Sequence, residues 1–196
     1  MKILVCISKV PDTTSKINFV DNGTKFDENG VQYVVNPYDE WYALVRALEL
    51  VETQGGSVST ITVGTSADDP TIRKALAIGA NDAVRIDAEP VDSFFVSKQI
   101  ANYALKENFD IVMTGKETIN YNGAQIGAMV SELLDMPFVS LASKLDVVGS
   151  VATLERDVQA GIEVVEVDFP FVVSASKGMA EQRIPNMRGI MAARTK

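Results

Sequence analysis

The sequence contains no histidine. That absence removes the Ser-His-Asp and Cys-His arrangements, a histidine general base and any His-ligated metal site. Carboxylate and lysine chemistry remain open, and binding gains weight over hydrolysis. A single cysteine, Cys6, excludes an internal disulfide and a cysteine-built zinc or iron–sulfur cluster, and reads as a small core residue. No apolar run approaches the roughly 20 residues that cross a bilayer, so no membrane insertion is expected. The amino-terminal KILVCIS is too short and too poor in basic flanks for a signal peptide, which makes the cytoplasm the expected location. Cations are scarce: 18 Lys and Arg against 26 Asp and Glu leave a formal charge of -8. Nucleic acid is therefore not an expected partner, because phosphate backbones are held by clustered Lys and Arg. Only the tail MRGIMAARTK is locally basic.

What is present is a chain of 196 residues, suited to one domain with a substantial core. KILVCIS has the continuous apolar character of a strand buried on both faces of a parallel sheet. Asn22-Gly23 and Asn29-Gly30 then punctuate a small antiparallel excursion with tight turns. In NPYDEWYALVRALELVETQGG, Asn36 can cap a helix, Pro37 suits its first turn, and Asp39 and Glu40 complement its positive end. Leu44, Ala47, Leu48 and Val51 supply the buried stripe, and Gly55 ends it. SVSTITVG, DPTIRKALAIGA, DAVRID, DSFFVSKQIANYALKEN and DIVMTG follow as strand, helix, strand, helix and strand. Such alternation predicts a doubly wound, mostly parallel α/β sheet with helices on both faces. Beyond residue 137, alternating residues with Gly149 and Gly161 predict a further antiparallel excursion before a last apolar strand.

The stretch GKETINYNGAQIG, residues 115 to 127, follows DIVMTG at a strand-loop-helix junction, where unpaired backbone amides can receive an anion. It lacks both the GxGxxG spacing and a P-loop ending. Ile126, Met129, Val130, Leu133 and Leu134 share one helical face, which predicts a helix starting near Asn122 or Gly123, with Asn122 and Gln125 as a capping box. Gly115, Gly123 and Gly127 would permit close approach of a phosphate, or serve only as turn and packing glycines. Asp157 and Glu163 are candidate paired carboxylates, but in an alternating exposed strand they read as solvated.

Three stretches carry a family resemblance over residues 2 to 196. ERDVQAGIEVVEVDFPFVVSASKGMAEQRIPNMRGIMAARTK resembles, in order and spacing, the terminal signature of electron transfer flavoprotein beta subunits and of the related nitrogen-fixation subunits. GKETINYNGAQIG is similar to the family's adenylate loop, and NPYDE to a third, shorter element. The resemblance implies a subunit that is not an enzyme by itself. It pairs with an alpha subunit that carries most of the FAD site, accepts electrons from acyl-CoA or other dehydrogenases, and passes them to a quinone oxidoreductase. It also implies AMP as a structural ligand of this chain, with FAD in the same seat as the alternative in electron-bifurcating members. A free-standing adenine-nucleotide-binding regulatory domain is the rival reading.

Carried over by motif position, the nucleotide contacts are Cys6, Asn36, Pro37, Tyr38, Asp39 and Val63, together with Gly115, Lys116, Glu117, Thr118, Ile119, Asn120, Tyr121, Asn122, Gly123, Ala124, Gln125 and Ile126. The edge of the first strand would face the adenine, and Tyr38 the flavin shared with alpha. Thr13 stands where relatives can place an aromatic flavin contact. Residues 176 to 196 resemble the partner-recognition loop and tail, with Met187 as apolar anchor and Arg183 in the Glu-x-Arg element. Asp157 occupies an acidic position that faces alpha's mobile flavin domain. AEQRIP and Ala192-Ala193 depart from the usual pattern, so the choice of dehydrogenase is not carried over. Relatives continue into an arm that embraces alpha, which this sequence, ending at Lys196, does not contain.

Overall fold

The computed structural model describes residues 1–195. The amino-terminal apolar run forms β1 (Lys2–Cys6), in which Ile3, Leu4, Val5 and Cys6 are all buried. Its side chains alternate between two clusters, as a period of two requires. Ile3 and Val5 join the cluster that contains Leu44 and Leu48, while Leu4 and Cys6 join the one that contains Ile100 and Val130.

After β1 the chain makes the small antiparallel excursion. β2 (Lys9–Pro11) pairs with β5 (Tyr33–Val35), and between them β3 (Phe19–Val20) pairs with β4 (Lys25–Phe26) around Asp21-Asn22-Gly23. Then come α1 (Asp39–Gln54), β6 (Ser57–Gly64), α2 (Asp69–Ile78), β7 (Asp82–Asp87), α3 (Ser93–Glu107), β8 (Ile111–Gly115) and α4 (Ile126–Leu134). β9 (Phe138–Val148), β10 (Val151–Val158), β11 (Gly161–Asp168), β12 (Phe171–Ala175) and α5 (Met187–Ala193) complete the order. One eight-stranded sheet runs β11-β10-β9-β12-β8-β1-β6-β7. α1 and α2 cover one face of its parallel part and α3 and α4 the other, which is the expected doubly wound arrangement.

Two expectations are corrected. α1 starts at Asp39 with Tyr38 at the cap position, and Asn36 makes no capping bond because its side chain is engaged elsewhere. α4 starts at Ile126, not near Asn122, because Asn122 (φ 50°) and Ala124 (φ 51°) take left-handed backbone that a helix cannot contain. The expected antiparallel excursion after residue 137 is present as β9, β10 and β11, which extend the main sheet, and β9 pairs in parallel with the last apolar strand, β12. β12 inserts between β9 and β8, a long-range pairing that local pattern does not encode. The remaining prediction for the extension holds: Asp157 lies opposite Ile162, while Glu163 pairs with Arg156 at 3.0 Å. Neighbouring register positions point to opposite faces, so the two carboxylates form no pair.

Candidate functional site

The strand order sets where a site can form. From β1 the chain winds through β6 to β7 on one side, then returns to place β8 and β12 on the other. The loops leaving β1 and β8 therefore diverge, and the crevice outside their carboxyl ends is where open α/β sheets receive ligands. Residues 36–40 and 115–126 meet at that switch point.

Their contact is made by a close approach at Gly115. A Cβ there would lie 2.7 Å from Glu40 Cγ and 2.9 Å from the Glu40 nitrogen, so the end of β8 rests directly on the start of α1. The loop after β8 is then held from several directions. The Lys116 amide donates to the Ala175 carbonyl at 2.8 Å and the Glu117 amide to Asp39 Oδ2 at 3.3 Å. Asn36, 0 % exposed, donates from Nδ2 to the Glu117 carbonyl at 2.7 Å and accepts from the Ile119 amide at 3.4 Å. This bridge spans some eighty residues of chain and explains why Asn36 is unavailable as a cap. The Asn122 amide nitrogen donates to the Thr118 carbonyl at 2.8 Å. The side-chain orientation of Asn122 that satisfies both its ends directs the NH2 group at the Thr118 and Ile119 carbonyls. Asn122 thus closes the turn before α4 and does not cap it.

The turn leaves donors free. Among the described residues, the backbone amides of residues 123–128 have no hydrogen-bond acceptor, since the Met129 amide is the first to pair, with Gln125. They form the positive end of α4, and a phosphate or carboxylate is the group such a row accepts. Gly123 stands open, with nothing within 4 Å of an added Cβ. Gly127 is a packing glycine, tight against Phe138 and Thr114, as Gly115 is against α1. Tyr121 is 85 % exposed. The Lys116 ammonium sits 2.8 Å from Glu117 Oε1 at the loop's start, so its charge is shared inside the loop.

Burial shapes the titration of this crevice. Glu40 is pushed up to about 8, mainly by burial, with the Asp39 charge adding and hydrogen bonds from Ser8 opposing. Burial also raises Asp39, against the Glu117 amide and Lys116. Cys6 is driven up by burial and by Glu40, so its thiol stays protonated and is no nucleophile. Among the described residues no group of His, Cys, Asp and Glu side chains could hold a metal ion.

The structure brings Cys6, Val63 and Ile126 to the same cluster under α3 and α4, and sets Asn36 to Asp39 on the α1 side of the crevice. Both edges of β1 are paired, to β6 and β8, so only its carboxyl end and not its edge is open to an adenine. Tyr38 is half-exposed at the start of α1. Sequence reasoning missed Ser8, which ties to Glu40, and missed a cavity of about 190 Å³ between Lys116, Ala124 and Gly127 on one side and Phe138, Leu141 and Ser174 on the other. No local signal marks that cavity; β9 and β12 reach it only through sheet pairing.

The tail forms a second surface. Gly189 lies where a Cβ would collide with the Ala77 carbonyl of α2, Ala193 is buried, and Arg73 donates to the Ala193 carbonyl at 2.6 Å. The small-residue face of α5 therefore docks on α2, and Met187, 73 % exposed, points away with Met191. Met187 does not pack back on its own domain. Arg183 makes a bidentate pair with Glu52 of α1 at 2.7 and 2.8 Å, fastening the segment that leads into α5. Asp157 is exposed on β10, in a different part of the fold.

These features define a doubly wound α/β protein with a row of acceptor-free amides at its switch point and a fastened, apolar-tipped tail. The electron transfer flavoprotein domain matches residues 23–196. The chain is 34% identical over 200 residues to the electron transfer flavoprotein subunit beta of Bacillus subtilis, covering 100% of this chain and 77% of that protein. It is 30% identical to the human subunit beta, over 100% of this chain and 79% of the relative. To protein FixA of Azorhizobium caulinodans it is 33% identical, over 98% and 70% respectively. The chain belongs to the electron transfer flavoprotein family, among its beta subunits, and its role lies in electron transfer. No helix among the described residues is long and apolar enough to cross a membrane.

Proposed function

We propose that this chain is a carrier subunit that seats AMP in the loop 115–126, helps hold the FAD of the alpha subunit, and docks dehydrogenases, acyl-CoA dehydrogenases among them, through residues 176–196. The observation that carries the reading is the row of acceptor-free amides at residues 123–128, presented by a loop that Asn36 and Asp39 hold at the switch point. In this reading the amides take the phosphate, the carboxyl ends of β1 and β6 at Cys6 and Val63 border the adenine, and Tyr38 faces the flavin. FAD, when bound, supplies the redox centre. Met187 is the apolar anchor for a partner pocket, a use that suits a flexible exposed thioether. Arg183 holds the anchor in place, and Asp157 faces the alpha subunit. Electrons leave toward a quinone oxidoreductase, and the complex works in the cytoplasm as one nucleotide-binding unit of residues 1–196 without substrate turnover of its own.

The test is co-expression with the alpha subunit, purification of the dimer, and release of its ligands by denaturation. A dimer that yields one FAD and one AMP supports the reading. A second flavin and no AMP assigns FAD to this chain's seat, and a chain that stays monomeric with no flavoprotein partner overturns the reading.

A further inference from the structure

We propose that the cavity between α4 and the strands β9 and β12 is a phosphate-monoester pocket, in which the hydroxyl groups of Ser140 and Ser174 join the α4 amides in holding the nucleotide's phosphate. The pocket rests on the nucleotide reading above and adds two side chains from strands outside the loop 115–126. It measures about 190 Å³ and is lined on one side by Ala124 and Gly127. Both residues belong to the row whose amides have no acceptor, so that row has two sides. On the outer side Gly123 stands clear, with nothing within 4 Å of an added Cβ, and leaves a way in. On the inner side lies the cavity, whose volume is well above what a single water needs and admits a phosphate group.

The opposite wall follows from the strand period. Phe138 and Val172 face the cluster under α4, and two residues further along each strand Ser140 and Ser174 return to that face and line the cavity. The pairing slips at this point: Val173 lies opposite Val139 but Ala175 opposite Ala142, so Ser140 and Leu141 together oppose Ser174. Bulges of this kind re-aim side chains beside binding sites. Leu141, at φ 59°, turns its amide to Ser174 Oγ at 3.0 Å. That bond uses the Ser174 oxygen as an acceptor. The Ser174 proton goes to no acceptor among the described residues, although the side chain is only 4 % exposed. Ser140 is half-buried and its hydroxyl group has no hydrogen-bond partner among the described residues. A buried donor without a partner is costly, and an anion in the cavity meets both. No carboxylate is among the described residues that line it, and Lys116 stands at its rim, 2.8 Å from the Glu117 carboxylate that shares its charge. Donors therefore converge from three sides: helix amides, strand hydroxyl groups and an ammonium group. A phosphate monoester offers three terminal oxygens to such a set, and a diester only two.

The test takes the heterodimer with the alpha subunit, strips it of nucleotide, and measures binding of AMP, adenosine and the methyl phosphodiester of AMP by calorimetry. The wild type should bind AMP at least about tenfold more tightly than either of the others. Ser140→Ala removes one charge-assisted hydrogen bond and should weaken AMP roughly 10- to 100-fold while leaving adenosine unchanged. Ser140→Leu fills the cavity and should bring AMP down to the level of adenosine. Ser174→Ala also takes the acceptor from the Leu141 amide, so it is read by the same AMP-to-adenosine ratio, which a loss of folded material does not alter. An unchanged ratio in the Ser140 variants, an equal loss of AMP and adenosine, or a diester bound as tightly as AMP overturns the pocket and leaves the nucleotide reading standing. A wild type that binds neither AMP nor adenosine overturns that reading, and the pocket with it.

Discussion

Gly123→Val separates the stability of the loop from its ligand. Nothing lies within 4 Å of a Cβ built at Gly123, and its φ lies outside the left-handed region. Neither collision nor backbone strain opposes a side chain there, so the stability of the folded chain should change by less than about 0.5 kcal/mol. The branched side chain, however, stands beside the free amides of residues 123–128. A charge-assisted hydrogen bond is worth about 1.5–3 kcal/mol, so losing one amide–phosphate contact weakens nucleotide binding by roughly 10- to 100-fold. Gly115→Ala is the contrasting case, since its methyl group would meet Glu40 Cγ at 2.7 Å and the Glu40 nitrogen at 2.9 Å. Overpacking of that kind costs about 1–3 kcal/mol, which lowers the melting temperature by roughly 2–4 °C for each kcal/mol. Both variants should lose nucleotide, but among heterodimers stripped of AMP only Gly115→Ala should melt earlier than the wild type, since bound ligand itself raises the melting temperature. The assay is the heterodimer's melting curve alongside its AMP content after desalting. Gly123→Val that carries AMP at the wild-type ratio after extensive dialysis would refute the phosphate seat.

Asn36→Ala leaves the Glu117 carbonyl and the Ile119 amide without their side-chain partners, and should destabilise by about 1–3 kcal/mol with faster exchange confined to residues 115–122; exchange mass spectrometry checks both. Met187→Ala removes an exposed side chain, so melting should shift by less than about 0.5 kcal/mol equivalent while electron transfer from an acyl-CoA dehydrogenase slows and AMP stays bound. An unchanged stopped-flow rate would remove Met187 from the docking surface. Arg183→Ala breaks the bidentate pair with Glu52, a surface interaction worth at most about 1 kcal/mol, and should speed proteolytic cleavage between residues 176 and 186 and leave the nucleotide bound.

Much of the frame was legible because it is written in short-range pattern. SVSTITVG and DAVRID coincide with β6 and β7 residue for residue, since each apolar run is bounded by glycine or a polar turn. The buried stripe of α1 shows Leu44, Ala47 and Leu48 as expected, with Val51 only partly covered at the helix's outer end. The junction after DIVMTG was recognisable as a strand-loop-helix turn from residue order alone. Its geometry was not. The left-handed Asn122 and Ala124, and the late start of α4, depend on a loop pinned by Asn36 and Ala175 from elsewhere in the chain.

The sequence by itself determined the alternation of strands and helices, the two apolar faces, the absence of histidine chemistry and the motifs of the family. Each is a property of residues within a turn or two of one another, where backbone preference and hydrophobic period act directly. Only the tertiary structure decided that β12 slots between β9 and β8, that Asn36 braces a loop rather than a helix end, that Glu40 is buried against Ser8 and Gly115, and that α5 turns Met187 outward. Those outcomes join residues some 30 to 110 positions apart. Their energies come from hydrogen bonds and close packing that exist only once the sheet is assembled.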